Sequence, residues 1–291
     1  KRWGGIMRKL DTSDFETANI EYIEFWMLDP FIYESTTGNR RGGDLYINLG
    51  EVSEDILKDG KKYFENGMPI DGDQTKVEET VWGKVPKEQS IVYAFDTSTG
   101  ARKRQDVGLN GLTAEEEKTF GTYSTYLNKL KTILDPAIYT QFEKSPAGDL
   151  YHYYRGSDYD QEEKSILERY KYYNNTEGNS TASEDSPEKY DISSKTVPDV
   201  EDINQDNTLN EYEKYFQYKI NIAPEGLKVG SNYITNKRTA SVKLRNGKTE
   251  EVNWYQFTIP VRNYDKAVGS ISDFKSIRFM RMYLTNFVDP V

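Results

Sequence analysis

The amino-acid sequence predicts a mostly β protein with an α-helical insertion, built as a jelly-roll-like β-sandwich. Of the 291 residues, 13% are aromatic, including 23 Tyr and 12 Phe, and such side chains suit broad sheets. Strand patterns fill both ends of the chain, whereas helical spacing is confined to its middle. A run of acidic and amide residues, Asp202–Glu213, follows the helical part.

Strand patterns dominate the N-terminal part. Residues 20–28 are rich in aromatic and β-branched side chains and end at Asp29-Pro30, as a strand followed by a turn does. Leu45, Ile47 and Leu49 alternate with polar or small residues, which predicts a half-buried strand. A further strand is predicted over 91–95. Because a strand pattern also begins almost at residue 1, we expect a fragment of a longer protein.

The middle of the chain has helical features. Thr113-Ala114-Glu115-Glu116 has the pattern of a capping box, and apolar residues then recur at helical spacing from Phe120 to Leu134. A second helix is predicted from about Asp160 to Tyr173. The next residues, 174–195, are rich in Ser, Asn, Glu and Thr, which predicts a mobile surface loop.

The C-terminal part returns to strand patterns. Asn246-Gly247 is a strong hairpin signal between strands predicted over 239–244 and 249–252. Further strands are predicted over 254–261 and 274–284.

Apolar residues recur with the same spacing near the two ends of the chain, at 20–25 and 274–279. Two buried strands of one sandwich would give this echo, and so would parts of two similar sandwiches. We therefore expect a β-rich portion over 1–112, followed by a helical insertion over 113–218. The insertion would include the mobile loop of 174–195 and the acidic run Asp202–Glu213. A β-rich portion over 219–291 could begin a second sandwich.

Charge and cysteine content exclude several classes of function. The formal net charge of −10 argues against nucleic acid and anionic lipid as partners and favours a cation. The absence of Cys excludes disulfides, thiolate nucleophiles and cysteine-ligated metals.

The run Asp202–Glu213 has the spacing of a calcium loop. Counted as twelve residues, it places Asp, Asn, Asp and Glu at positions 1, 3, 5 and 12, where such loops present oxygen ligands. Asn207 stands at position 6, where Gly is usual, and Asn tolerates the left-handed conformation. The predicted Ca²⁺ ligands are Asp202, Asn204, Asp206, Thr208 (through its backbone carbonyl), Asn210 and Glu213 (through both carboxylate oxygens).

The role predicted for this loop is that of a structural clip. A calcium sensor normally has a second, paired loop, and this sequence offers none. Residues 211–218 are predicted to form the helix that leaves the loop. The alternative is an acidic turn that caps a helix without binding metal.

Catalytic patterns are weak, so we expect no enzyme. His152 is the only histidine, and carboxylate pairs of the glycosidase kind arise by chance among 48 acidic residues. A carbohydrate-binding β-sandwich module is the alternative, because exposed Trp3, Trp26, Trp82 or Trp254 could stack on sugars. Trp26 and Trp254 lie in strand patterns, however, and are predicted to be core residues.

Seven stretches carry a resemblance to a known family. They are Arg2–Arg8, Ile23–Phe31, Gly43–Gly50, Arg104–Gly111, Tyr151–Asp160, Pro198–Asp206 and Ser276–Met282. These stretches resemble the SprA/Sov family, the outer-membrane translocon of the type IX secretion system, which is linked in some bacteria to gliding motility.

The resemblance implies a soluble, non-catalytic segment of a very large translocon that passes folded cargo across the outer membrane. The implied partners are the remainder of the translocon barrel, a PorV-like outer-membrane protein and secreted cargo proteins. The implied location is the cell outer membrane, and we expect the segment to face the exterior. No cargo-contact residue follows from the resemblance.

Overall fold

The computed structural model describes residues 3–31, 42–55, 57, 59–182, 185, 196–198, 200–244 and 247–287. The chain divides into two compact units. Unit 1 comprises Lys1–Ser53 and Asn210–Val291, and unit 2 comprises Glu54–Leu209. These divisions differ from the boundaries expected at 112/113 and 218/219, because the inserted unit begins well before the first long helix.

The described part of the chain contains ten β-strands. They are β1 Trp3–Lys9, β2 Tyr22–Leu28, β3 Gly43–Glu51, β4 Val77–Glu79, β5 Lys84–Pro86, β6 Lys214–Ile222, β7 Ile234–Lys243, β8 Thr249–Pro260, β9 Lys266–Val268 and β10 Phe279–Thr285. In unit 1 the larger sheet has the order β1-β10-β3-β6-β9 and the smaller sheet has the order β2-β8-β7. All pairings in these sheets are antiparallel.

The core of unit 1 is formed by apolar side chains from both sheets. Ile47 and Leu49 of β3 and Phe257 and Ile259 of β8 are 0% exposed and belong to one buried cluster. Each pair is separated by one residue that points the other way, which is the two-residue period of a β-strand. A β-sandwich with an inserted helical unit thus confirms the predicted fold class.

The repeated spacing near the two chain ends has a single cause. Ile23, Phe274 and Ile277 all lie in the same buried cluster. β1 pairs with β10 along its whole length, from Trp3↔Thr285 to Lys9↔Phe279. The N-terminal and C-terminal segments therefore complete one sandwich, and the described part of 219–291 does not begin a second one.

Two predicted elements of secondary structure are wrong. Residues 91–95 form no strand; Val92 N–H donates to the Asn207 carbonyl and Phe95 N–H to the Thr196 carbonyl, each at 2.9 Å. Residues 214–218, predicted to be helical, belong to β6, which pairs with β3. Every second residue of β6 from Phe216 onward is buried, so period-two alternation decides the structure there.

The α-helices of the described part of the chain all lie in unit 2, and 3-10 turns occur at Gln74–Lys76 in unit 2 and Pro224–Gly226 in unit 1. The α-helices are α1 Ala101–Gln105, α2 Ala114–Glu117, α3 Gly121–Ile133, α4 Pro136–Lys144, α5 Ser157–Gln161 and α6 Ile166–Tyr170. The capping box is confirmed, since Thr113 N–H donates to Glu116 Oε2 at 2.9 Å and Glu116 N–H to Thr113 Oγ1 at 3.3 Å. It caps the short helix α2, and the predicted long helix follows as α3.

The other predictions for the middle of the chain need correction. The helix expected from Asp160 to Tyr173 is split into α5 and α6, and Glu163 between them has a φ of 51°. Thr176 and Ser180 are buried, so the described residues 174–182 are not a mobile surface loop. Residues 183–184 and 186–195 lie outside the described residues. None of the helices described has both the length and the apolar character of a membrane span.

Candidate calcium loop and aromatic sheet face

Three of the predicted calcium ligands have side chains that meet in one turn of unit 2. Asp202 accepts the backbone N–H of Asp206 at 3.1 Å through Oδ1 and that of Asn207 at 3.0 Å through Oδ2. Asn204 Nδ2 donates to Asp206 Oδ2 at 3.0 Å. Asp206 Oδ1 in turn accepts the N–H of Thr208 at 3.0 Å and its hydroxyl at 2.7 Å. The turn therefore gathers oxygen atoms from Asp202, Asn204 and Asp206.

The backbone of this turn adopts the conformation that a calcium loop requires at position 6. Asn207 has a φ of 63°, and Gln205 has a φ of 59°. The left-handed region costs most L-residues about 1–2 kcal/mol, and Asn visits it more readily because its short side chain bonds locally. Asn207 therefore serves where the loop pattern usually has Gly.

The electrostatics of the turn favour a bound cation. Asp202 is only 3% exposed. Burial raises the pKa of Asp202, and the negative charge of Asp206 adds to the rise, while the N–H groups of Asn207 and Asp206 oppose it. A cation among these oxygens would remove the repulsion between the two carboxylates.

The donor set of the turn fits calcium better than a softer metal. Among the described residues, no group of three or more His, Cys, Asp or Glu side chains has the arrangement of a metal site. Calcium at this turn would therefore take amide and carbonyl oxygens and water besides the carboxylates of Asp202 and Asp206, and this ion accepts such mixed oxygen ligands.

The last two predicted ligands, Asn210 and Glu213, belong to unit 1 and have protein partners there. Asn210 Nδ2 donates to the Val52 carbonyl at 2.7 Å. Both carboxylate oxygens of Glu213 accept hydrogen bonds from the Arg281 guanidinium at 3.0 Å, and Glu213 Oε1 also accepts Ser53 N–H at 3.3 Å. Because β6 begins at the next residue, the strand orients Glu213, and its carboxylate forms a bidentate ion pair.

The outer face of the smaller sheet carries two tryptophans. Trp26 of β2 is 40% exposed and Trp254 of β8 is 39% exposed, so the prediction that they are core residues is wrong. Leu28 pairs with Trp254 and Trp26 with Gln256, which places the two indoles diagonally on one face. The Arg238 guanidinium lies 6.0 Å from the centre of the Trp26 ring.

The remaining tryptophans do not extend this face. Trp3 is 72% exposed and lies on β1 of the larger sheet, whereas Trp82 is 46% exposed and lies in unit 2 between β4 and β5. The four tryptophans therefore form no single row along one sheet.

The only histidine has structural partners. His152 Nε2 lies 2.8 Å from Asp158 Oδ2, and its ring stacks on Tyr159 with the centroids 3.8 Å apart. The second ring nitrogen, Nδ1, lies 2.8 Å from the Tyr153 carbonyl. His152 therefore lies half-buried beside tyrosines, with an aspartate and a backbone carbonyl as its polar partners.

A group of buried and half-buried carboxylates in unit 2 was not predicted from sequence. Its members are Asp106, Glu117, Asp149 and Glu177. They come from four separate segments, so no spacing rule connects them. The one available signal is that Asp106 lies within the resemblance stretch Arg104–Gly111.

Comparison with known proteins identifies the family. The SprA_N family model, described as a motility related/secretion protein, matches residues 125–291, which is more than half of the chain. No curated protein matches the sequence. The matched region runs from α3 through the C-terminal strands of unit 1, and it confirms the resemblance noted in the sequence. The chain therefore belongs to the SprA family of motility-related secretion proteins.

Proposed function

We propose that this chain is a non-catalytic structural segment of a giant outer-membrane translocon of the type IX secretion system. The family match over residues 125–291 carries this proposal, because its description is that of a motility-related secretion protein. Secretion and motility indicate a location in the cell envelope, and the finer assignment is the outer membrane with the segment facing the exterior.

Exposed apolar side chains in both units support a role within an assembly. In unit 1, Trp3 is 72% and Ile6 is 64% exposed on the edge strand β1; in unit 2, Ile133 is 73% and Leu167 is 83% exposed. An edge strand with exposed apolar side chains can pair with and pack against a partner segment. The proposed partners are the remainder of the translocon, a PorV-like outer-membrane protein and secreted cargo.

Removing unit 2 from the full-length protein tests this function. Asn210 Nδ2 is hydrogen-bonded to the Val52 carbonyl at 2.7 Å, so a short Gly-Ser linker can join residues 53 and 210. We expect the shortened protein to reach the outer membrane while cargo secretion is lost. The matched control inserts the same linker at Gly247, between β7 and β8, and retains unit 2. Wild-type secretion by cells that carry the shortened protein would contradict the proposal.

A carbohydrate-binding module is the second candidate, and the exposed pair of Trp26 and Trp254 favours it. Aromatic faces of this kind stack on apolar faces of sugars. Glycan-array binding by the purified chain, lost in the Trp26→Ala, Trp254→Ala double variant, would support this candidate over the first.

We further propose that calcium stabilises unit 2 at the turn of Asp202, Asn204, Asp206 and Thr208. Chelation should lower the melting temperature of the wild-type chain, because an ion that binds only the folded state stabilises it. Asp206→Asn keeps the acceptor for Thr208 but removes the charge, so calcium should protect this variant less. Differential scanning fluorimetry with calcium or EDTA measures the effect.

The exposed acid Glu88 provides the control, since Glu88→Gln should respond to calcium like the wild-type chain. Glu213→Gln is a poorer probe of the loop, because it also breaks the ion pair with Arg281. An Asp206→Asn variant with an undiminished calcium response would show that the turn is only an acidic cap.

A further inference from the structure

Unit 2 contains a second group of carboxylates, built from residues outside the predicted calcium loop. Glu117 is 0% and Glu177 is 8% exposed, and Asp106 and Asp149 lie in the same region of the unit. Burying several negative charges together is unfavourable unless positive charge or protons neutralise them. The contacts of these side chains show which groups lie close enough to neutralise their negative charges.

The short helix α2 connects two of the carboxylates. Glu177 Oε1 accepts the N–H of Ala114, the first residue of α2, at 2.8 Å. Glu117, the last residue of α2, accepts Asn110 Nδ2 at 2.6 Å through Oε1 and Ala147 N–H at 2.9 Å through Oε2. Glu177 is therefore bonded to the same helix turn from which Glu117 extends.

Asp149 lies next to both Glu177 and Asn110. Its backbone carbonyl accepts the N–H groups of Thr176 and Glu177, each at 3.1 Å. A Cβ placed on Gly108 would lie 2.3 Å from Asp149 Oδ2 and 3.0 Å from Asn110 Oδ1. The Asp149 carboxylate thus packs directly on the Gly108 backbone, next to the Asn110 amide that binds Glu117.

Three buried oxygen atoms in this region have no hydrogen-bond partner among the described residues. They are Asp149 Oδ1, Glu177 Oε2 and Thr176 Oγ1. Thr176 is only 3% exposed and Glu177 only 8%. Buried polar atoms in native proteins nearly always have a partner, and two carboxylates and a hydroxyl are the oxygen ligands of a hard cation.

The negative charges of the group also act on one another. Burial and then the charges of Asp149, Glu117 and Asp106 raise the pKa of Glu177 to about 7. Burial and the Asp149 charge raise the pKa of Glu117. Burial raises the pKa of Asp106 to about 6, although the N–H groups of Ser180 and Gly178 and the charge of Arg102 oppose the rise.

We propose that a divalent cation of the calcium class binds at this group, with Asp149, Glu177 and Thr176 as its protein ligands. Glu117 and Asp106 add negative charge around the ion. Calcium takes about six to eight oxygen atoms and readily includes carbonyls and water. Because carbonyl oxygens and water can complete the coordination, the site does not need three acidic ligands. Among the described residues no three acidic side chains have metal-site geometry. This site is independent of the proposed turn at Asp202–Thr208 because it shares no residue with it.

Calcium titration of the purified full chain and two variants tests the site. Glu177→Gln keeps Oε1 as the acceptor for Ala114 N–H and removes only the charge, so it should fold. We expect calorimetry at about pH 8, above the pKa of about 7 of Glu177, to find two bound ions for the wild-type chain. One ion should be lost in Glu177→Gln and both in the Asp206→Asn, Glu177→Gln double variant.

The single variants separate this proposal from the turn at Asp206. If the turn binds no ion, the wild-type chain should bind one, which Asp206→Asn retains and Glu177→Gln loses. Glu115→Gln is the matched control, because Glu115 also lies on α2 but its side chain is 82% exposed; its calcium response should equal that of the wild-type chain.

Two results would overturn the proposal. One is a Glu177→Gln chain that binds calcium with unchanged stoichiometry and affinity. The other is a wild-type chain that gains stability on acidification but binds no ion removable by Glu177→Gln or Asp149→Asn at millimolar calcium, since protons alone would then neutralise the group. Asp149→Asn also replaces Glu177→Gln if that variant does not fold.

Discussion

Replacing Phe257 with Ala is expected to destabilise unit 1 by about 3–5 kcal/mol. Phe257 is 0% exposed in β8, the central strand of the smaller sheet. Its ring stacks on Phe25 with the centroids 4.8 Å apart and the planes within 6° of parallel. The substitution removes this contact and leaves a cavity between strands that cannot collapse easily, and urea unfolding followed by tryptophan fluorescence measures the loss.

The neighbouring residue Gln256 gives the control for Phe257→Ala. Gln256 points to the opposite face of the same strand and is partly exposed. Gln256→Ala should change the free energy of unfolding by no more than about 0.5 kcal/mol. Equal losses for the two variants would contradict the assignment of inner and outer faces in the smaller sheet.

Gly111→Ala is expected to destabilise unit 2 by about 2–5 kcal/mol, the sum of a backbone cost and a steric cost. Gly111 has a φ of 71°, and a Cβ there would lie 2.2 Å from the Lys84 carbonyl oxygen. The clash cannot be relieved locally, because Lys84 N–H is hydrogen-bonded to the Asn110 carbonyl at 2.8 Å. Thermal unfolding combined with limited proteolysis of unit 2 measures the effect.

Gly60 separates the two costs. It has a φ of 76°, but a Cβ there would meet no atom of the described residues within 4 Å, so Gly60→Ala should cost only about 1–2 kcal/mol from the backbone. The excess cost of Gly111→Ala reports the close approach to Lys84. If both variants lose the same stability, that approach does not occur in the protein.

The fold was predictable wherever the side chains themselves encode the period of the element. Leu45, Ile47 and Leu49 alternate cleanly, and β3 forms there. Alternation is equally clear from Phe216 onward and β6 forms there, although the calcium-loop pattern predicts a helix at these residues. At 91–95 an apolar run predicts a strand, but no strand pairs with it among the described residues. A run of apolar residues does not reveal its partners.

Exposure and site geometry were less predictable because they depend on contacts between distant segments. Trp26 is apolar, yet the alternation of β2 turns it outward. Asp202, Asn204 and Asp206 are close in sequence, so their convergence was predictable. The position of Glu213 depends on the strand that follows it, β6, and on Arg281, which binds its carboxylate and is distant in sequence. The carboxylates around Glu177 also come from segments that are distant in sequence, so the sequence does not show that they lie close together.

The pairing of the N-terminal strands fixes the order in which the two units can fold. β1 pairs with β10, β2 with β8, and β3 with β10 and β6, so among the described strands none of the first three has a partner until residues from 214 onward have been synthesised. Unit 2 lies between these partners in the chain and can be complete first. Contacts between strands so far apart in sequence form slowly, and strands with unpaired edges promote aggregation until those contacts form. The N-terminal strands are therefore the part of unit 1 that waits longest for its partners during synthesis.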